Sequence, residues 1–232
     1  MTIIRGIDGC KAGWLCLSLL PGESHPTARV FDIDARTLFE ERAKITAIDI
    51  PIGLPTAGTR QVDQTARKLL GPMKSSVFPT PVRATLSAPS YEMACMISAR
   101  TSGKKISKQT FCILPRIDYV DKILRMSPEL INSVYEVHPE VCFAYWNSGR
   151  PLQHPKKSGF GFMERLTIVE QVFGKSPYDV RATVPRKQAT DDDILDAFAA
   201  LWTAQRIHDG TAIAVSNIVE KDEFNLPMQM WA

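Results

Sequence analysis

Short apolar runs separated by turn residues open the chain. Residues 2–8 and 14–20 are two such runs, joined by Gly9-Cys10-Lys11-Ala12-Gly13, and Ala28-Arg29-Val30-Phe31-Asp32-Ile33 alternates at the period of a strand. Three consecutive strands with short connections predict an antiparallel meander. A short helix near Arg36 to Arg42 follows, and Ile45 to Ile50 reads as a fourth strand, flat and apolar like one inside a sheet, ended by Pro51 and Pro55. The middle third changes period. It predicts a helix from about Arg60 to Leu70, a proline-broken stretch Ser75-Ser76-Val77-Phe78-Pro79-Thr80-Pro81, and helices around Tyr91 to Ala99 and Arg116 to Met126. Ser133 to His138 returns to strand pattern, and Phe162 to Phe173 is amphipathic at helical spacing. Thr190 to His208 is a long helix with a clear start signal. A last strand at Thr211 to Ser216 and an apolar tail, Leu226 to Trp231, expected to pack on its own sheet, finish the chain. This order predicts an α/β fold on a mixed sheet, a three-stranded antiparallel meander plus parallel strands, flanked by helices. The helical stretch at about 58–130 reads as an insertion in a single domain over residues 1–232.

Composition narrows the class without naming it. With 232 residues, 44% hydrophobic and 23% charged, the chain is ordinary globular material. Its five cysteines are odd in number and never spaced Cys-x-x-Cys, which argues against a disulfide framework and a cysteine zinc site, and predicts a reducing, cytoplasmic compartment. No stretch approaches the roughly 20 apolar residues of a membrane span, so no membrane partner is expected. A net charge of +3 is compatible with a nucleic-acid partner but far weaker than the footprint of a dedicated binder.

Acidic residues in apolar surroundings carry the candidate chemistry. Asp8 ends Ile3-Ile4-Arg5-Gly6-Ile7, Asp49 lies between Ile48 and Ile50, and Asp193 and Asp196 flank Ile194-Leu195. A buried carboxylate is unfavourable unless paired, hydrogen-bonded or bound to metal, so three such segments point to one anionic pocket. Two-metal phosphodiester chemistry places divalent ions roughly 3.5–4 Å apart, and Mg²⁺ or Mn²⁺ prefers hard oxygen ligands. Asp8, Asp49, Asp193 and Asp196 meet that requirement as metal ligands and catalytic residues. Asp193 and Asp196, three apart, share nearly one helix face, while Ala197, Ala199 and Ala200 permit close approach to a sheet. Acids after Thr190 are equally what an N-cap and the helix dipole favour, and Asp8 beside Gly9 could simply open a turn. In Tyr135-Glu136-Val137-His138-Pro139-Glu140, strand alternation puts Glu136 and His138 on one face; Glu136 could complete the metal site and His138 could move a proton. Glu140 reads as a first-turn helix acid. The Gly9–Gly13 turn has a rival reading as a phosphate cradle, without a supporting nucleotide fingerprint. Cys10 has no assignable partner for thiol chemistry.

Five blocks in order carry a family resemblance: Gly6-Ile7-Asp8-Gly9-Cys10-Lys11-Ala12-Gly13-Trp14, Ile48-Asp49-Ile50-Pro51-Ile52-Gly53-Leu54-Pro55, Ser75 to Pro81, Glu136 to Glu140, and Asp192-Asp193-Ile194-Leu195-Asp196-Ala197. Together they resemble the domain of unknown function 429 family, described as predicted nucleases of ribonuclease H-like fold. The wider superfamily, which includes Holliday-junction resolvases, is similar in an Asp on the first strand, an acid on the fourth, and a closing helix with an acid before an alanine-rich run. Asp8, Asp49 and Asp196 fill those places, with Asp193 or Asp192 as fourth acid. The blocks Ser75 to Pro81 and Glu136 to Glu140 depart from resolvases and imply a different substrate. The resemblance implies a metal-dependent nuclease or phosphodiesterase using Mg²⁺ or Mn²⁺, with Lys11, Arg67 and Lys156 as candidate phosphate contacts. Arg67 recurs with Arg60 and Asp63 at helical spacing, which an intrahelical ion-pair ladder explains as well. The alternatives are a non-catalytic nucleic-acid or protein binding module on the same fold, and a nucleotide-dependent phosphotransferase.

Overall fold

The computed structural model describes residues 3–34, 37–40 and 43–232. Positions 2, 36, 41 and 42 of the expected elements lie outside the described residues. Strands β1 (Ile4–Cys10), β2 (Gly13–Leu19) and β3 (Thr27–Phe31) form the expected antiparallel meander. Only Lys11 and Ala12 separate β1 from β2, and Gly13 sits at φ +138°, where a Cβ would lie 2.2 Å from the Phe31 carbonyl oxygen. A short helix, α1 (Thr37–Glu40), precedes β4 (Ile45–Ile48), which pairs parallel with β1 in the register Ile7 to Ile48.

Between β4 and β5 (Val134–Val137) the chain forms α2 (Gln61–Leu70), α3 (Tyr91–Ser102), α4 (Lys108–Met126) and three 3₁₀ turns. Helix α4 begins eight residues before its expected start at Arg116, because Ser107 caps it by accepting from Thr110 N at 3.0 Å and the helix runs through Pro115. After β5 come α5 (Pro139–Trp146), α6 (Gly159–Phe173), α7 (Ser176–Thr183) and α8 (Asp191–His208). Thr190 and Asp193 form a reciprocal capping box at the start of α8.

The sheet closes differently from expectation. Thr211 to Ser216 forms no strand, only an isolated bridge from Ala214 to Trp231. The tail instead adds the sixth strand, β8 (Met230–Trp231), parallel to β5, while β6 (Glu220–Lys221) and β7 (Pro227–Met228) make a separate ribbon. Ile213 exchanges backbone hydrogen bonds with Ala232, so the 211–216 segment covers the outer edge of β8. The strand order is β3-β2-β1-β4-β5-β8. The molecule is a mixed α/β protein whose six-stranded mixed sheet is flanked by helices, and no described helix is long and apolar enough to cross a membrane.

Each face of the sheet buries its own cluster. Ile4, Leu15, Leu17, Ala47 and Val137 pack under α5 to α8, whereas Ile7, Trp14, Cys16, Ile48 and Val134 pack under α4. Helix α8 crosses β1, β2 and β4. It lies so close to β1 that a Cβ on Gly6 would sit 2.2 Å from Leu201 N and 2.5 Å from the Ala197 carbonyl oxygen. The glycine in β1 and the alanines of α8 together allow that approach.

Candidate active site

Strand alternation aims the acids. Ile4, Gly6 and Asp8 point to the α8 face of β1, so the contact at Gly6 continues to Asp8 one pleat further on. Asp49 follows the last residue of β4 and donates its backbone N–H to the Ile7 carbonyl at 2.9 Å, which puts it beside Asp8 at the ends of two adjacent parallel strands. Asp196 lies one residue before Ala197 on α8, above the same spot. Asp8 and Asp196 are buried and Asp49 is partly exposed, and all three line one cavity of about 460 Å³.

The three carboxyl groups hold their protons unusually firmly. Burial raises Asp8 well above the ordinary carboxylate value, and the charges of Asp196 and Asp49 raise it further. Asp49 is raised by burial, against the pull of His138 and a hydrogen bond with Asp8. Asp196 is pushed up to about 6 by burial, although Lys156 opposes the shift. Lys156 lines the cavity and forms an ion pair with Asp196 through Oδ2. Burial disfavours its ammonium charge, but Asp196 and Asp8 outweigh that and hold the proton on. The segment carrying Lys156 is fastened by Glu164, which accepts from Gln153 N and His154 N at 2.9 and 3.1 Å.

His138 also reaches the cavity, at the N-cap of α5 and past the end of β5. Its Nε2 lies 3.1 Å from the Ser76 carbonyl oxygen, which can only accept, so Nε2 carries hydrogen and the neutral ring has its lone pair on Nδ1. Three buried polar atoms of the cavity lining have no partner among the described residues: His138 Nδ1, Asp196 Oδ1 and Thr80 Oγ1. Buried polar atoms are normally satisfied, so each of these three has an unused hydrogen-bonding capacity.

Four expected site residues sit elsewhere. Glu136 pairs in register with Ile48 and does not line the cavity shared by Asp8, Asp49 and Asp196. It receives Arg60 Nη1 and Nη2 at 2.7 and 2.6 Å and Ile52 N at 2.7 Å, so its oxygens are engaged in a buried ion pair. His138 lies just past the end of β5, at the cap of α5, and lines a small gap together with Glu136. Asp193 accepts from Thr190 N at 2.7 Å and serves the capping box. Arg67 donates to the carbonyls of Lys74 and Val77, which ties α2 to the following 3₁₀ turn. Lys11 is exposed on the β1–β2 turn and does not line the cavity. That turn offers no open phosphate cradle at Ala12, whose N–H is given to the Gln188 carbonyl at 3.0 Å. Glu140 begins α5 as expected and forms a bidentate pair with Arg165 on α6, with Nη2 to Oε2 at 2.6 Å and Nε to Oε1 at 2.9 Å.

The ion-pair ladder expected on α2 is present between Arg60 and Asp63, at 2.6 Å, whereas the link from Arg60 to Glu136 and the place of Arg116 were not expected. Arg60, 1% exposed, joins Glu136 to Asp63, whose second oxygen accepts from Thr80 N at 2.8 Å. Burial alone would favour loss of the Arg60 proton, but Glu136 and Asp63 keep the guanidinium charged. The only sequence signal was Arg60 and Asp63 three apart at a helix start. Arg116 lines the cavity and donates to the Cys10 carbonyl at 2.6 Å, holding the end of β1 against α4.

The oxygen-rich set Asp8, Asp49 and Asp196 suits a hard divalent cation, which would relieve the mutual repulsion and satisfy Asp196 Oδ1. As the side chains stand, no three Asp, Glu, His or Cys groups among the described residues converge to hold one ion. Lys156 supplies the neighbouring positive charge. Fold and cavity thus define a mixed α/β protein with an acidic pocket at the adjoining ends of β1 and β4. The chain belongs to the family described as protein of unknown function (DUF429), whose model matches residues 6–221. No curated protein and no solved structure matches it.

Proposed function

We propose that this protein is a metal-dependent phosphodiesterase or nuclease with a ribonuclease H-like core. The single observation that carries the reading is the convergence of Asp8, Asp49 and Asp196 on one cavity in which Asp196 Oδ1 is buried without a partner among the described residues. The antiparallel β1 to β3, the parallel β4 and β5, and α8 across them support the core assignment. Asp8, Asp49 and Asp196 would hold Mg²⁺ or Mn²⁺, with Lys156 shifting from Asp196 to the substrate phosphate. When bound, the cation supplies charge neutralisation at the phosphoryl oxygens and lowers the pKa of attacking water. His138, with Nε2–H kept on the Ser76 carbonyl, would offer Nδ1 as the acceptor for a proton from an attacking water.

A second reading draws on Lys156, which already neutralises Asp196 without a cation. In it the pocket binds an anionic partner and does not hydrolyse it. The two separate in an assay of oligonucleotide cleavage with Mn²⁺. The hydrolytic reading expects cleavage that EDTA stops and that Asp8→Asn and Asp49→Asn each lower by at least a hundredfold with the fold intact. Undiminished cleavage by the double variant removes the assignment. Binding that follows salt and ignores EDTA, without cleavage, supports the second reading.

A further inference from the structure

The Ser75 to Pro81 stretch has no role in the carboxylate chemistry, yet it builds part of the same cavity. Phe78, Pro79 and Pro81 line it together with Ile50, Pro51 and Ile113, so an apolar wall shares the space with Asp8, Asp49 and Asp196. Phe78 is 38% exposed, so part of its ring is open to a ligand. The wall is held from three sides. Asp63 accepts from Thr80 N at 2.8 Å, Arg67 donates to the Val77 carbonyl, and His138 donates to the Ser76 carbonyl at 3.1 Å. Behind Asp63, Arg60 carries the restraint to Glu136 on β5. This buried ion-pair chain fixes the wall that carries the Phe78 ring.

The cavity of about 460 Å³ has room for one nucleotide. A base can lie flat against its apolar wall only when it is out of a duplex stack. An apolar wall with an available aromatic ring, a Thr80 Oγ1 without a partner among the described residues, and Lys156 with Lys157 on the lining match a base, a base edge or sugar, and a phosphate.

We infer that the cavity takes a single unpaired nucleotide, stacked on Phe78 against the Ser75 to Pro81 wall, so that single-stranded nucleic acid is the substrate class. The inference deepens the phosphodiesterase reading and rests on it for the reaction, but its ligand recognition stands on the wall alone. Glu136, Arg60 and Asp63 are positioning residues for that wall.

Binding tests it without any need for turnover. Fluorescein-labelled dT10 and U10 are titrated by anisotropy in EDTA, alongside a DNA dumbbell closed at both ends by hexaethylene glycol linkers, so that every nucleotide in it is paired. We expect at least one single strand to bind tenfold or more tighter than the dumbbell. Phe78→Ala removes that preference, in the range of about 5- to 150-fold that base stacking contributes, while Phe78→Trp keeps it. Both variants should melt with the wild type, since the ring is partly exposed. Equal affinity for single strand and dumbbell, an unchanged preference in Phe78→Ala, or no binding of any probe overturns the inference. Single-strand preference without hydrolysis leaves this inference standing and sinks the reaction. Cleavage of the dumbbell that Phe78→Ala does not alter sinks the inference and leaves the reaction.

Discussion

Ionised Asp8 is opposed first by burial, then by the charges of Asp196 and Asp49, with Lys156 in its favour. Its folded-state pKa therefore lies above the ordinary 3.8, as does that of Asp196, pushed up to about 6. A raised acid means the folded chain binds more protons than the unfolded one between those values. Stability from this source is complete below about 3.8 and is lost as pH rises through the folded value. Asp8→Asn removes the ionisation, so it should raise the melting temperature at pH 8, by an equivalent of roughly 0.5–2 kcal/mol as functional-site replacements can. The gain should vanish as pH falls toward 4, and thermal melts across that range check the sign. Equal melting of variant and wild type at pH 8 contradicts it. These acids were legible because each interrupts an apolar run. Glu136 interrupts one too, and its different role was hidden because its place depends on the Ile48 pairing, which no local pattern encodes.

At the scale of elements, the site depends on how α8 meets β1 and how α2 meets β5. Gly6→Ala forces a methyl into the backbone of α8, where Ala197 and Leu201 cannot yield as a flexible side chain would. We expect a loss of about 1–3 kcal/mol or more, typical of overpacking, read by urea denaturation; an unchanged midpoint would show that α8 is not held there. Arg60→Ala leaves Glu136 and Asp63 buried without their cation and should lower stability by about 3–5 kcal/mol. It should also open Ser75 to Pro81 to limited proteolysis, and an undigested loop counts against the restraint described above. The alanines of α8 and the helical period made one contact readable in advance. Pro115 hid the first two turns of α4, since a proline in a helical pattern normally marks a boundary, and the Ser107 cap that overrides it is a weak signal. The alternation of Thr211, Ile213 and Val215 resembles a strand, but the segment covers β8 and extends no ladder.

For the whole molecule, the order of strands turns distant segments into one site. Parallel pairing of β1 and β4 sets Asp8 beside Asp49, α8 brings Asp196 from the far end of the chain, and the α5–α6 connection brings Lys156. The meander and its parallel neighbour were legible from apolar runs and turns, whereas the closing strand was not, because Met230 and Trp231 are too short a run to outweigh Thr211 to Ser216. We propose that this convergence makes a cation site. Its most direct test is a thermal titration with Mn²⁺ at pH 8 on the wild type and Asp49→Asn. The melting temperature of the wild type should climb with Mn²⁺ as mass action requires, and that of the variant should not respond. A shift of equal size in the variant, or none in the wild type up to millimolar Mn²⁺, contradicts it.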